Sequence, residues 1–311
     1  DYVVTNEDGV FHIFVSGEGT MELQLSYYQG GLQSAPVTVE IGAAQSSYNL
    51  NQIPLCDDFD GSTGIDIASD ITENTTWSSG NTYILRRRII VREGATLTIE
   101  PGVVIKGGVG TGLDATSLVV ARGAGIMAEG TPELPIVFTS VLDEITPEDI
   151  TAGNFGSPNL NPEDVSLWGG VLVLGRAPIS LRDENDQDVS ESVMEGLTFG
   201  DVAHLYGGND PMDNSGILRY VSIRHGGVDF GMGNEINGLS LGGVGSGTTI
   251  QNIEIVGNQD DGVELFGGTV DLQNLVVWNA NDDGFDTDQA WAGTLDNFAL
   301  ITPGGSALEL D

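Results

Sequence analysis

The chain is poor in cysteine, in basic residues and in long apolar runs, and each shortage excludes a class of protein. The single cysteine, Cys56, excludes an internal disulfide framework and a zinc site built from several thiolates. Lysine and arginine number 10 against 46 acidic residues, which gives a formal charge of -36. Nucleic acids and anionic membranes attract positive surfaces, so we expect neither as a partner. No apolar run reaches the roughly 20 residues of a transmembrane helix, so we expect no membrane insertion.

Motifs for phosphate or dinucleotide binding and for a serine nucleophile are also missing. What the chain has in excess is glycine, with 45 residues among 311, together with 40% hydrophobic residues. This combination predicts many short strands joined by turns around a real core, and not a disordered acidic tail. The first residue is Asp1 and not methionine, so we expect a mature chain or a fragment without its targeting signal.

Apolar and polar residues alternate with period two in residues 1–55, for example in Val10–Val15, Met21–Leu25 and Val37–Ile41. This pattern predicts half-buried antiparallel strands, but too few of them for a whole immunoglobulin-like sandwich. We therefore expect a partial β-sandwich module at 1–55. Residues 56–75, rich in turn formers and charge, are predicted to be a linker and the start of the next domain.

A repeat of about 23 residues occupies the C-terminal third of the chain. Short apolar strands recur in register at Gly238–Leu241, Gly262–Leu265, Gly284–Thr287 and Ala307–Leu310. Two further sets of residues recur with the same spacing: the asparagines 252, 274 and 297, and the apolar residues 250, 272 and 295. Three columns in register predict a coil of three short strands stacked at the ordinary strand spacing. The fold class is thus all-β, with a parallel β-helix solenoid over 76–311, after the partial sandwich.

The asparagine column predicts an internal ladder at a turn, because asparagine tolerates the left-handed conformation and its amide can bond from coil to coil. Two polar stretches, Leu142–Leu167 and Leu181–Asp213, interrupt the repeat and are predicted to be loops that project from the stack. They either add solvated charge or shape a binding groove. The chain ends inside an apolar strand at Leu310, so we expect the β-helix to be incomplete there and covered by further coils, a cap or another subunit.

Several segments of the chain resemble secreted bacterial right-handed parallel β-helix surface proteins, which share the pectate-lyase-like fold and are often exported by the type IX route. The segments that carry this resemblance are Gly94–Gly107, Leu167–Val171, Leu218–Gly227, Asn234–Leu239 and Asp260–Gly268. The resemblance implies a right-handed solenoid over about 70–311 and an exported or surface-bound protein of uncertain activity. The C-terminal sorting domain expected in such proteins is absent from this sequence.

An acidic column follows the repeat at Glu264, Asp286 and Glu309, and Asp288 lies two residues further along. Its neighbours in sequence are apolar and must point inward, so the column points outward. Stacked carboxylates repel one another, and a divalent cation removes that cost. Calcium fits best because it accepts many hard oxygen ligands in loose geometry. Asp260 and Asp282, in the turns ahead of the column, complete the predicted metal set. The alternative is a solvated acidic face.

Catalytic residues are harder to assign. The repeated Asp-Asp-Gly turns, which contain Asp261 and Asp283, resemble the paired acids of β-helix glycosidases, although Arg224-His225 precedes them and the order is wrong. Polysaccharide lyases of this fold use a basic residue to abstract a proton, and Arg224 and His225 are the nearest candidates. The alternatives are ordinary turn chemistry for the aspartates and an ion pair for Arg224.

We expect from the sequence an extracellular, non-catalytic cell-surface adhesin or structural fibre component stabilised by calcium. Its expected partners are an extracellular glycan or another surface protein, further copies of itself, or further domains of the same chain. The alternative is a polysaccharide lyase or glycosidase of the β-helix type.

Overall fold

The computed structural model describes residues 63–108, 115–183, 185–229 and 235–310, together with five short strands between residues 19 and 56. The chain divides into two compact units, with the main boundary between Asp60 and Gly61. The described helices are α1 (Pro147–Thr151) and a 3₁₀ turn at Val202–His204. Neither is long or apolar enough to cross a membrane.

The first unit contains short antiparallel strands, β1 (Gly19–Leu23), β2 (Ser26–Tyr27), β3 (Leu32–Ser34), β4 (Val37–Ile41) and β5 (Leu55–Cys56). β1 pairs with β4, and β3 pairs with both β2 and β5. The expected strands at 21–25 and 37–41 correspond to β1 and β4, whereas Val10–Val15 lies outside the described residues. The immunoglobulin-like sandwich stays a prediction.

The second unit is a stack of parallel strands. Its strands are β6 (Ile65–Ile67), β7 (Thr75–Trp77), β8 (Thr82–Leu85), β9 (Ile89–Val91), β10 (Thr96–Ile99), β11 (Val104–Gly107), β12 (Leu118–Val120), β13 (Gly125–Glu129), β14 (Ile136–Ser140), β15 (Val171–Leu174), β16 (Leu181–Arg182), β17 (Asp188–Val189), β18 (Ser192–Val193), β19 (Leu205–Tyr206), β20 (Gly216–Gly226), β21 (Val228–Asp229), β22 (Glu235–Ile236), β23 (Leu239–Gly242), β24 (Thr249–Asn258), β25 (Val263–Phe266), β26 (Leu272–Ala280), β27 (Phe285–Asp288), β28 (Leu295–Ile301) and β29 (Leu308–Leu310).

Two long parallel sheets form the walls of this stack. One has seven strands in the order β29-β27-β25-β23-β15-β12-β9, and the other has eleven strands, ending at β28 and β6. From β20 onward, two of the three strands of a coil are fused into one, since β20 pairs with β13 through its first half and with β14 through its second. The predicted parallel β-helix with three strand segments per coil is confirmed, and it begins at β6.

The register of the strands matches the predicted repeat. Leu239 lies opposite Val263, Val263 opposite Phe285, and Phe285 opposite Leu308. Inward ladders of this kind build one continuous core along the stack, in which Trp77 and Trp168 are almost completely buried. Burial of such apolar ladders is the main source of stability, because each coil covers the apolar edge of its neighbour.

The asparagine ladder is present at the bend inside the fused strands. Asn252, Asn274 and Asn297 have φ angles of 56°, 60° and 58°. The side-chain amide of Asn274 donates to Asn252 Oδ1 at 2.7 Å, and that of Asn297 donates to Asn274 Oδ1 at 2.6 Å. The ladder therefore satisfies the amides while it holds the left-handed bend at the same position in successive coils.

The two interruptions of the repeat do not project from the stack as expected. Insertion 1 (residues 142–167) contains α1 and packs Ile145 and Ile150 on Val104 and Val137, on the outer face of the 11-stranded sheet. Insertion 2 (residues 181–213) packs on the outer face of the 7-stranded sheet, and its side chains in that contact include Met194, Leu197 and Tyr206. The physical reason is that the outer faces beneath them are apolar and must be covered.

Candidate functional site

A ladder of polar side chains follows the turns that lead into the 7-stranded sheet. Asn237 Oδ1 accepts from the backbone N–H of Asp261 at 3.1 Å, and Asp261 Oδ1 accepts from that of Asp283 at 2.8 Å. Asp283 Oδ1 accepts from the N–H of Ser306. The glycine after Asp261 is required by packing, because a Cβ on Gly262 would lie 2.4 Å from a methyl carbon of Val277. Two of the proposed catalytic aspartates thus hold successive coils together.

The acidic column forms the C-terminal half of one outward ladder on the 7-stranded sheet. Its register runs through Ile90, Val119, Leu172, Ser240, Glu264, Asp286 and Glu309. Insertion 2 covers the apolar half. The alternative of a solvated face does not hold for Glu264, which is only 8% exposed although it points outward in the repeat. Glu309, by contrast, is exposed.

Five carboxylates, here called the acidic cluster, meet beside this ladder: Asp260, Asp261, Glu264, Asp282 and Asp286. Asp260, Asp261 and Asp282 place carboxylate oxygens within 4.8 Å of one another, and so do Asp261, Glu264 and Asp286. Asp261 is shared by both groups. Four of the predicted metal ligands are therefore brought together, and Asp261, which the sequence suggested for catalysis, joins them.

Two predicted metal ligands, Asp288 and Glu309, belong to neither group of oxygens. Asp288 lies opposite Phe266, and Glu309 lies on the last coil described. Glu309 continues the ladder of Glu264 and Asp286 as the repeat predicted, whereas Asp288 lies two residues further along the same strand as Asp286.

Burial changes the ionisation of the acidic cluster. Desolvation, reinforced by the charge of Asp261, raises the pKa of Glu264 to about 10. Desolvation also raises the pKa of Asp261 to about 8 and that of Asp260 to about 7, despite the hydrogen bond that Asp261 accepts. These groups hold protons near neutral pH because a buried cluster of like charges cannot ionise fully. The pairs titrate together, so the protons belong to the cluster as a whole.

Two acidic residues that the sequence analysis missed, Glu195 and Glu235, face this cluster, since the charge of each raises the pKa of Asp260. Glu195 of insertion 2 accepts from the backbone N–H of Glu235 at 2.7 Å, and desolvation raises the pKa of Glu195 to about 7. The charge of Glu195 also raises the pKa of Glu264. No periodic signal could have found Glu195, because it lies in a stretch that interrupts the repeat.

Arg224 and His225 are both buried and do not line an open groove, and His225 lies against Asp164 of insertion 1. Arg224 is 5% exposed, and its guanidinium donates to Ser222 Oγ at 2.6 Å and to Glu254 Oε2 at 3.1 Å. His225 is 1% exposed, has a φ of 58°, and its Nδ1 lies 2.7 Å from the carbonyl oxygen of Asp164. Because a carbonyl only accepts, Nδ1 carries the proton. Burial lowers the pKa of His225, so the ring is neutral at pH 7.

All ten lysine and arginine side chains lie in the described part of the chain, and each has a polar partner there. The partners include acidic groups for most of them, and backbone carbonyls for Arg88 and Lys106. Arg92 and Arg122 bind Asp201 and Glu191, and so tie insertion 2 to the stack. The few cations of this chain are thus engaged in its own structure.

Comparison with known families agrees with this architecture. A family model described as a pectate-lyase-like β-helix domain matches residues 69–307. The chain belongs to this family. No curated protein and no solved structure is significantly similar to the chain.

The pectate-lyase-like β-helix match includes both insertions and the acidic cluster. The family is compatible with a structural or adhesive role and with action on glycans. A choice between a structural role and action on glycans must therefore be argued from the geometry of individual side chains.

Proposed function

We propose that this protein is a non-catalytic, extracellular surface adhesin or structural component whose C-terminal coils are stabilised by calcium. One observation carries the proposal: the side chains that catalysis would need are already held in structural contacts. Arg224 is buried against Glu254 and His225 against insertion 1, and Asp261 and Asp283 hold backbone N–H groups of the next coil.

A lyase that acts on uronates needs a base and a cation for the substrate carboxylate. The ten basic side chains of this protein have partners within the described residues, and Arg224 would have to leave Glu254 to act as the base. The resemblance to exported β-helix proteins supports an extracellular location, and export by the type IX route is part of the same proposal.

Calcium suits the acidic cluster because it prefers carboxylate oxygens and takes about six to eight of them in loose geometry. Asp261 and Glu264 come from one coil and Asp286 from the next, so this ligand set exists only in the folded stack. A cation bound there would replace protons on groups with pKa values near or above neutrality, and it would oppose their mutual repulsion.

Titration calorimetry with calcium at pH 7 tests the cation. Binding should release protons, so the measured heat should change with the ionisation enthalpy of the buffer. The variant Glu264→Gln should bind more weakly and release fewer protons, whereas Glu309→Gln, on the same ladder but exposed, should behave like the wild type. Identical heats in all buffers would contradict a site made of these carboxyl groups.

The catalytic question is tested separately, with polygalacturonate, alginate and neutral glycans as substrates. We expect neither an unsaturated uronate, followed by its absorbance, nor new reducing ends. Turnover that disappears in Arg224→Ala or His225→Ala would overturn the non-catalytic assignment in favour of a lyase.

A glycoside hydrolase is the second candidate, and one observation favours it. Asp260 and Glu195 have pKa values of about 7, as expected of a general acid at neutral pH. New reducing ends that depend on both Asp260 and Glu195, with a loss of rate above pH 7, would support this function.

A further inference from the structure

One part of the outer surface of the stack is apolar and is covered by none of the segments that the structure describes. It lies on two neighbouring outward ladders of the 11-stranded sheet, in the last three coils described. We call these five side chains the apolar patch: Val256, Val276, Trp278, Ala299 and Ile301. Exposed fractions of 39% for Val276, 46% for Trp278 and 44% for Ile301 are high for large apolar residues in a protein with a formal charge of -36.

The same ladders are covered earlier in the stack. Val104 and Val137 precede Val276 on its ladder, and both are fully buried beneath insertion 1. Insertion 1 reaches only to the edge of the patch, where the carbonyl oxygen of Pro162 accepts from the amide of Asn279 at 2.8 Å. Within the described residues, this apolar face is therefore covered in the first coils and open in the last three.

A groove of about 340 Å³ runs along one side of the patch, across three coils. Its outer wall repeats with the stack, and its lining side chains include Asn252, Asn274, Asn297, Glu254 and Val276. A surface with the same shape at every coil suits an extended ligand laid along the stack axis more than a compact one. Gln273, exposed on the outward ladder beyond the groove, adds an amide at its rim.

The charges define the chemical class of such a ligand. An anionic ligand would approach a strongly negative protein whose ten cations already have partners, and Arg224, the cation on the patch's own ladder, is buried against Glu254. A second copy of this chain would meet the same repulsion. An uncharged polymer meets none, and a pyranose offers an apolar ring face to an indole and hydroxyls to neighbouring amides.

We propose that the apolar patch and its groove bind an uncharged, linear polysaccharide, with Trp278 as the central contact. The inference rests on the proposed adhesive function and identifies the surface and the ligand class for it. Of the four tryptophans, Trp77 and Trp168 are buried in the core and Trp291 is half-buried, so Trp278 is the one that presents its indole at the surface.

Binding of the full chain to soluble xylan, glucomannan and mixed-linkage glucan, and to polygalacturonate and alginate, tests the proposal by affinity electrophoresis. We expect retardation by at least one neutral polymer and by neither anionic one. Trp278→Ala should weaken that binding about tenfold, as expected for a central aromatic contact. Phe199→Ala is the matched control, because Phe199 is an aromatic residue of insertion 2 that is 88% exposed, and it should bind like the wild type.

Acrylamide quenching of tryptophan fluorescence gives an independent readout. Trp77 and Trp168 are buried and Trp291 is half-buried, so most of the accessible fluorescence belongs to Trp278. The neutral polymer should protect it in the wild type and leave quenching unchanged in Trp278→Ala. Ile301→Asp, which adds charge to the patch, should lose binding as well.

The possible outcomes separate the site from the function. Unchanged binding in Trp278→Ala and Ile301→Asp would place the glycan elsewhere and overturn this inference while the adhesive function stands. Preference for an anionic polymer would overturn the ligand class. A wild type that binds no polymer would overturn this inference and would also contradict glycan adhesion. A dimer that Trp278→Ala dissociates would overturn the inference in favour of a protein contact.

Discussion

Replacement of Glu264 by glutamine should stabilise the protein in alkaline, calcium-free solution. The Glu264 carboxyl is 8% exposed, and its pKa is raised from 4.5 to about 10, mainly by desolvation. In the unfolded chain it ionises near pH 4.5. Because the folded-state pKa is the higher one, the stability that this group contributes is fully present below pH 4.5 and is lost as the pH rises towards 10.

The size of the effect follows from the interval between the two pKa values. Each pH unit in which the native carboxyl is protonated and the unfolded one is ionised costs about 1.4 kcal/mol. From pH 4.5 to pH 8, Glu264 therefore destabilises the native state by about 5 kcal/mol. Glutamine has nearly the same shape, retains an oxygen that can accept from the Asn237 amide, and does not titrate.

Urea unfolding in the presence of a chelator measures this difference. The wild type should lose stability between pH 4.5 and pH 8, and Glu264→Gln should lose less, so that the two differ most at pH 8. Hydrogen exchange of the peptides in 235–310 localises the change, since a stacked repeat can unfold in parts. Glu309→Gln, on the same ladder but exposed, is the control. Equal urea midpoints of the wild type and Glu264→Gln at pH 8 would refute the reasoning.

Three further changes test other contacts. Asp261→Asn retains an acceptor for the N–H of Asp283 and should be no less stable than the wild type in chelator at pH 8, whereas Asp261→Ala should lose about 1–3 kcal/mol in urea unfolding. Asn274→Ala breaks two rungs of the ladder and strains a φ of 60°, so calorimetry should show a loss of about 2–4 kcal/mol, partly recovered in Asn274→Gly. Burial lowers the pKa of His225, so its contribution to stability is present above pH 6.5 and is lost as the pH falls below that value; His225→Asn should reduce this acid sensitivity in exchange of peptides 142–167, and an unchanged pH profile would contradict it.

The acidic cluster illustrates how far sequence patterns reach. The repeat placed Glu264 and Asp286 on one ladder, because residues one coil apart must lie opposite each other in a parallel stack. It also brought Asp261 and Asp283 to successive turns. It could not indicate that Asp261 is shared by both groups of carboxylates, because the direction of a turn side chain depends on backbone angles that periodicity does not encode.

Whether an outward side chain is buried or exposed was the feature hardest to predict from the sequence. Glu264 and Trp278 are both outward in the repeat, yet one is nearly buried and the other is almost half exposed. The difference arises from which parts of the outer face are covered by the insertions and loops, and a segment outside the repeat carries no register from which its position could be read. Glu195 faces the acidic cluster for the same reason.

The sequence was sufficient for the parallel β-helix, its coil length, its inward ladders and its asparagine ladder. These features depend on local alternation and on a repeat that every coil shares, so neighbouring coils reinforce the same pattern. The tertiary structure was needed for everything that depends on a single contact between distant segments. Insertion 1 against His225, insertion 2 beside Glu264, and the open face at Trp278 each arise once. Burial by a distant segment decides whether the same residue type is a structural contact, an acid with a raised pKa or an exposed surface for a ligand.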